Sequence, residues 1–329
     1  MNILAYQLSA PLARGPHADL AAWTKRLSDC PFTGQVERAL WGGFHSDRLG
    51  YAFVAGYAAA LGRLYEHVAR GVDAAAVSRP FPERPLHPPR AKLAPSARVS
   101  LCATEAGGAH PRSIATRLYE QGGALVLNGE KTFATLATIA DELLVVASRG
   151  LESDGKNRLR LVRVKPNAPG VEIVPRDPMP FAPELPHALV RLVNVAVAEE
   201  DVLPGDGYDD WLKPFRTIED THVLASTVGY LQGAARAYGF DRGVQAELVS
   251  LSLSLIDVGA RDPSAPLTHV VLAGLFSSVR RLIGSLGADW ERASAEERTR
   301  WERDLPLLIV ADKVRAKRTD TAMKTFSGV

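Results

Sequence analysis

The spacing of apolar positions changes twice along this chain. Residues 19–27 place Leu20, Trp23 and Leu27 at helical intervals, and residues 48–72 carry a longer stripe of Leu49, Phe53, Tyr57, Leu61, Leu64, Tyr65 and Val68. Both follow the 3.6-residue period and predict amphipathic helices. Ser46-Asp47 stands where an N-cap belongs, and Gly71 stands where the longer helix should stop. Gly42-Gly43, just after Trp41, predicts a turn ahead of that helix. Pro80, Pro82, Pro85, Pro88, Pro89 and Pro95 then exclude regular helix and set a first boundary.

From residue 98 the pattern turns to short β-rich runs, at 98–104, 124–127, 143–147, 158–164, 171–175 and 189–197, separated by Gly, Pro, Asn and Asp. That spacing predicts an antiparallel sandwich or barrel. Asn128-Gly129, flanked by apolar runs, predicts a tight hairpin. Helical periodicity returns near residue 206, over 215–240, 244–258 and 267–290. Ser294 and Glu297 form a capping box that opens a fourth helix, and Pro306 divides the remainder before 307–326. The expected organisation is α+β and multidomain: a helical domain at 1–97, a β-domain at 98–205 and a helical bundle at 206–329. It is not the strand–helix alternation of a doubly wound fold.

Composition narrows the function classes. The 329 residues are 46% hydrophobic and 23% charged, which is ordinary for a globular chain with a sizeable core. A formal charge of +2 gives no basis for nucleic acid or an anionic membrane surface. Cys30 and Cys102 stand alone, far from each other and from His/Cys company, so neither a disulfide nor a metal site is expected. No uninterrupted apolar run reaches membrane-spanning length, and the first residues lack a signal-peptide pattern. The expected location is the cytoplasm. Gly107-Gly108 lacks the spacing of a dinucleotide fingerprint. The run from Glu296 to Asp304 reads as a solvated, mixed-charge face.

The candidate chemistry lies in two nearby segments. One runs Leu101-Cys102-Ala103-Thr104-Glu105-Ala106-Gly107-Gly108-Ala109-His110, the other Leu127-Asn128-Gly129-Glu130-Lys131-Thr132-Phe133-Ala134-Thr135. Together they resemble the flavin-facing strands of the acyl-CoA dehydrogenase family, where the pattern is Thr-Glu-Pro-x-x-Gly-Ser-Asp followed by Asn-Gly-x-Lys-x-Trp-Ile-Thr. Thr104, Glu105, Asn128, Gly129, Lys131 and Thr135 match, and Phe133 takes the place of Trp. Ala106, Ala109 and His110 depart from Pro, Gly and Ser. Residues 189–197 and the following Val202-Leu203-Pro204-Gly205 are similar to the strand and turn that leave the family's middle domain.

The resemblance implies a helical N-terminal domain, an antiparallel β-sandwich or barrel and a C-terminal four-helix bundle. It also implies FAD and an acyl-CoA or other acyl thioester, oxidised between Cα and Cβ. Backbone around Leu101 and Ala103 and the Thr104 hydroxyl would address the isoalloxazine, with Phe133 packing on it and Thr135 donating to it. The same residues also suit an ordinary β-domain core. His110 would face flavin or substrate, or stay a solvated loop residue. The family's bundles form homodimers and homotetramers, and Leu253, Leu255, Val270, Val271, Leu272 and Leu275 predict an apolar surface for such assembly.

The family's usual catalytic Glu would fall beyond Val329, so a shortened member is expected. Some members carry the base early on the first bundle helix, ahead of an Ala-x-x-x-Gly pattern. Aligning Ala225-Ser226-Thr227-Val228-Gly229 with it brings that position to Glu219, with Asp220 where an Arg is expected. A carboxylate there also suits a helix start. His222 lies at i+3 from Glu219. Arg242-Gly243-Val244-Gln245 lacks the Phe-Gly of the family's Arg-x-x-Phe-Gly. Two alternatives remain open: a degenerate member that binds no FAD and serves as a binding or scaffold subunit, and a flavin monooxygenase-type relative.

Overall fold

Asn2 caps a helix that the apolar pattern did not announce. Its side-chain oxygen accepts from the Ala5 N–H at 2.8 Å and opens α1 (Ile3–Ser9). The computed structural model describes residues 2–12, 15–76, 98–108 and 110–327. The proline-rich boundary expected at 80–95 lies outside the described residues. Asp19 caps α2 (Leu20–Arg26) through the Ala22 N–H at 2.7 Å. Two further helices follow, α3 (Gln35–His45) and α4 (Leu49–Ala76). Helix α4 therefore runs through Gly71, because a single glycine costs a packed helix only about 1 kcal/mol.

The chain divides into two compact units, with one boundary inside α4. The first comprises 1–61, 179–184 and 215–329; the second comprises 62–178 and 185–214. In the first unit, α5 (Lys213–Tyr238) is buried at every residue from 224 to 235. Its polar residues are accommodated by bonding back to the helix. Thr221 Oγ1 donates to the Thr217 carbonyl at 2.8 Å, and Thr227 Oγ1 to the Val223 carbonyl at 2.9 Å. Gly42-Gly43 forms no turn: both residues lie inside α3, where a Cβ on Gly43 would collide with the Ser226 carbonyl of α5. The bundle continues through α6 (Arg242–Ala260), α7 (Pro266–Ser285), α8 (Gly287–Trp290), α9 (Ala295–Asp304) and α10 (Asp312–Ser327). Ser294 caps α9 by accepting from the Glu297 N–H, and a single 3-10 turn at Pro306 separates α9 from α10.

Among the described residues the second unit holds seven strands: β1 (Val99–Cys102), β2 (Arg117–Gln121), β3 (Ala124–Thr135), β4 (Glu142–Leu151), β5 (Asn157–Val164), β6 (Val171–Pro175) and β7 (His187–Val197). Their order is β1-β4-β2-β3-β7-β6, with β5 on β4. The sheet is mixed rather than wholly antiparallel, because β4 runs parallel to both β1 and β2. An isolated bridge between Thr104 and Phe133 draws the end of β3 back beside β1, so the sheet curls into a half-barrel. Inside it pack Cys102, Leu118, Leu127, Ala134, Val145, Val162, Val190 and their neighbours.

The hairpin expected at Asn128-Gly129 forms elsewhere. Gly122 and Gly123, at φ +60° and +82°, make the β2–β3 turn, since two successive left-handed residues suit a two-residue hairpin. Strand β3 passes straight through Asn128-Gly129, with a register shift against β7 between Leu127 and Gly129. Glycine is needed there for close approach: a Cβ would sit 2.6 Å from Thr116 Cα. Asn128 is held by Asn194, whose backbone N–H donates to it at 2.8 Å, and by Tyr119. Strand β2 escaped the sequence pattern because only Leu118 of Arg-Leu-Tyr-Glu-Gln enters the core.

Candidate functional site

Alternation along the extended chain sorts the motif residues into two sets. Cys102 and Ala134 enter the core of the half-barrel, which leaves Leu101 and Ala103 on the opposite face of one segment, and Phe133 and Thr135 on that of the other. The Thr104–Phe133 bridge and a hydrogen bond from the Thr132 N–H to the Thr104 carbonyl at 2.9 Å lay the two segments side by side. Ser100 Oγ adds a bond to the Thr135 carbonyl at 2.7 Å. Leu101, Thr104, Phe133 and Thr135 are half-buried, and Ala103 is buried. The Thr104 hydroxyl has no hydrogen-bond partner among the described residues. The bridge sets Thr104 beside Phe133, two residues from Thr135, while Leu101 and Ala103 precede Thr104 on the adjoining segment.

Other motif residues build the support beneath that surface. Lys131 is fully buried, and its ammonium donates to Glu105 Oε1 and to the Val146 carbonyl, each at 2.6 Å. Glu105 also accepts from the Ala115 N–H at 2.7 Å, the Thr116 N–H at 3.1 Å and Thr116 Oγ1 at 2.7 Å. Burial alone would raise the Glu105 pKa, but Lys131 and these donors outweigh it and hold the carboxyl below its ordinary value. The pair ties the residue after Thr104 to the residue two before Phe133. It is a staple for the surface rather than part of it. His110, in contrast, is exposed; its Nδ1 accepts from the Arg112 N–H at 3.3 Å, and no contact joins it to Thr104, Phe133 or Thr135.

His187, the first residue of β7, belongs to the surface and was missed from sequence. Register pairs it with Thr135, its Nδ1 lies 3.2 Å from Thr135 Oγ1, and its ring stacks on Phe133 with centroids 4.1 Å apart. Arg176 lies over Phe133 at 5.8 Å and donates to the Thr132 carbonyl at 3.0 Å. Burial, and then the Arg176 charge, pushes the His187 pKa down to about 4, so the imidazole is neutral at physiological pH. A lone His opening a strand carries no motif, and only the cross-strand register could have pointed to it.

In the helical unit, Glu219 lies in the opening turns of α5, half-buried and without a hydrogen bond among the described residues. Burial first, and the neighbouring Asp220 charge second, raise its pKa to about 8 against the opposing pull of Arg315, Arg216 and Arg318. Asp220 is ion-paired to Arg315 at 3.0 Å and to Arg318, both from α10. His222 does not pair with Glu219: it is buried, and its Nδ1 lies 2.7 Å from the Ile218 carbonyl. Of the apolar positions expected to remain exposed on the bundle, Leu255, Leu272 and Leu275 are buried in their own unit, while Leu253 is exposed. Among the described residues no cluster of His, Cys, Asp and Glu could hold a metal ion.

Residues 100–194 match the family model for the acyl-CoA dehydrogenase middle domain. No curated protein matches the sequence. Among solved structures, the chain is similar to butyryl-CoA dehydrogenase from Megasphaera elsdenii, at 14% identity and a TM-score of 0.64, covering 93% of this chain and 90% of that one. It is also similar to the prolyl acyl carrier protein oxidase AnaB, at 17% identity, a TM-score of 0.59 and coverage of 99% and 97%. A third likeness is to PigA with FAD and proline, at 13% identity, a TM-score of 0.64 and coverage of 98% and 92%. At these identities the likeness establishes the fold.

Proposed function

We propose, for a chain whose residues 100–194 match the acyl-CoA dehydrogenase middle domain and whose fold is similar to that of butyryl-CoA dehydrogenase, that it is a flavin-dependent oxidoreductase of the acyl-CoA dehydrogenase family acting on an acyl thioester. The observation that carries this reading is the half-buried pair of segments bearing Leu101, Thr104, Phe133 and Thr135, with a Thr104 hydroxyl that has no partner among the described residues and an aromatic ring beside it. A flat, partly apolar ring system with polar edges suits such a surface. FAD is the proposed cofactor, because the relative PigA has been solved with it. Flavin supplies the hydride acceptor when bound; the chain's own residues must orient it, exclude water and move the proton.

Glu219 is the proposed proton acceptor. Abstraction of a proton α to a thioester carbonyl needs a base of raised proton affinity within hydrogen-bond reach of that carbon. A carboxyl with a pKa of about 8 is such a base once ionised. Asp220, neutralised by Arg315 and Arg318, is excluded from the role because its charge is already committed. The proposed substrate class is an acyl-CoA or a carrier-protein thioester, the latter suggested by the relative named a prolyl acyl carrier protein oxidase.

The test is anaerobic mixing of FAD-loaded protein with acyl-CoA thioesters of graded chain length and with aminoacyl carrier-protein thioesters. Bleaching of the flavin band by one class, slowed by orders of magnitude in Glu219→Gln with ligand affinity retained, is the expected result. Flavin that binds but is bleached by no thioester would favour oxygen chemistry of the monooxygenase type. Protein that binds no flavin would favour the scaffold alternative.

A further inference from the structure

We propose that His187 is a positioning residue for the flavin surface, holding the Thr135 hydroxyl and the Phe133 ring so that Thr135 can present either a hydrogen or a lone pair outward. This inference rests on the flavin reading above and goes beyond it. Three contacts converge on His187: the 3.2 Å approach of Nδ1 to Thr135 Oγ1, the 4.1 Å stack on Phe133, and the strand register that places it opposite Thr135. The Thr135 hydroxyl owns one hydrogen. When Nδ1 carries a proton, Thr135 accepts from it and its own hydrogen is free to donate outward. When Nδ1 is bare, Thr135 gives its hydrogen to the ring and shows a lone pair.

A neutral imidazole can take either tautomer without a change of net charge. The groups facing it favour that neutrality: the ring is half-buried, and Arg176 is the charged side chain that bears on it. An oxidised flavin offers lone pairs along its reactive edge, and a reduced one carries an added N–H. A hydroxyl backed by a tautomerising ring can match both. A protonated imidazole could not, because it would fix Thr135 as an acceptor toward the ring. Neutrality down to about pH 4 removes that constraint across the physiological range.

The experiment measures FAD affinity, the visible spectrum of bound flavin and its midpoint potential in four proteins: wild type, His187→Phe, His187→Asn and Thr135→Val. His187→Phe keeps an aromatic stack but removes the hydrogen-bonding nitrogen. It should weaken FAD binding roughly tenfold, the worth of about one hydrogen bond, and shift the flavin absorption maxima. His187→Asn places an amide near the position of Nδ1 and should recover most of the wild-type spectrum and potential. Thr135→Val should mimic His187→Phe, and the double variant should be no worse than either alone. Wild-type affinity, spectrum and potential in His187→Phe, or strictly additive losses in the double variant, would overturn the assignment of His187. Wild-type protein that binds no FAD would overturn the flavin reading instead. A matched melting temperature in His187→Phe and His187→Asn separates loss of the bond from loss of the fold.

Discussion

Removing one partner of the buried ion pair beneath the candidate surface should destabilise the β-unit sharply. In Lys131→Met the methylene stem is largely preserved, but Glu105 loses the 2.6 Å ammonium bond and the Val146 carbonyl loses its donor. Breaking a buried pair from one side typically costs about 3–5 kcal/mol. Glu105 keeps the Ala115 N–H and both Thr116 donors, which places this case near the lower end, at roughly 3 kcal/mol. The double variant Glu105→Gln/Lys131→Met removes both charges and should recover most of that loss. Equilibrium urea unfolding gives the magnitudes, and hydrogen exchange of the β3 and β4 amides assigns the loss to this unit. The gap also has a pH signature. The Glu105 carboxyl is held below its ordinary value, so its contribution is present above the unfolded pKa and fades as pH falls through the folded one. Wild type and Lys131→Met should therefore converge in acid. A Lys131→Met cost below about 1 kcal/mol, the worth of a solvent-exposed ion pair, or a double variant as unstable as the single one, would refute this reasoning.

Glu219 predicts the opposite pH dependence. Its folded pKa of about 8 exceeds the unfolded value, so the folded state holds a proton that the unfolded state releases, and stability falls as pH rises between those two values. Glu219→Gln should match wild type in acid and melt at a higher temperature at pH 8; parallel melting profiles across the range would count against a half-buried, protonated Glu219. Assembly is a further proposal. Helices α6 and α7 are long and apolar enough by composition to cross a bilayer, yet only 28% of each apolar window is buried, and we propose that a second copy of the chain covers them. Light scattering should report a homodimer or larger, and a 35.5 kDa monomer at working concentration would defeat the proposal.

Periodicity carried the order of helices, curled sheet and helices, because the 3.6 and 2.0 repeats are the direct imprint of one-sided burial. It failed where burial is not one-sided or where backbone geometry decides. Strand β2 sends only Leu118 inward and so shows no alternation. Asn128-Gly129 looks like a turn in sequence because composition cannot distinguish a left-handed turn from close strand approach, and Thr116 supplies the approach. Gly42-Gly43 resembles a turn for the same reason, since helix α3 needs small residues against α5. At the site, the motif named the two segments but not the division of labour between their residues. Glu105 and Lys131 turn out to be a buried staple. His187 reaches the surface only through the β3–β7 register, a long-range pairing that leaves no local mark.

We propose that Leu101, Ala103, Thr104, Phe133 and Thr135 together hold a flavin. It is tested most directly by titrating FAD into the purified protein, following flavin absorbance and fluorescence, with Thr104→Val and Phe133→Ala alongside. Saturable one-to-one binding, or yellow protein as purified, is expected, with affinity reduced in both variants. Protein that is colourless as isolated and binds no FAD at high micromolar concentration, while retaining its native melting transition, would contradict it.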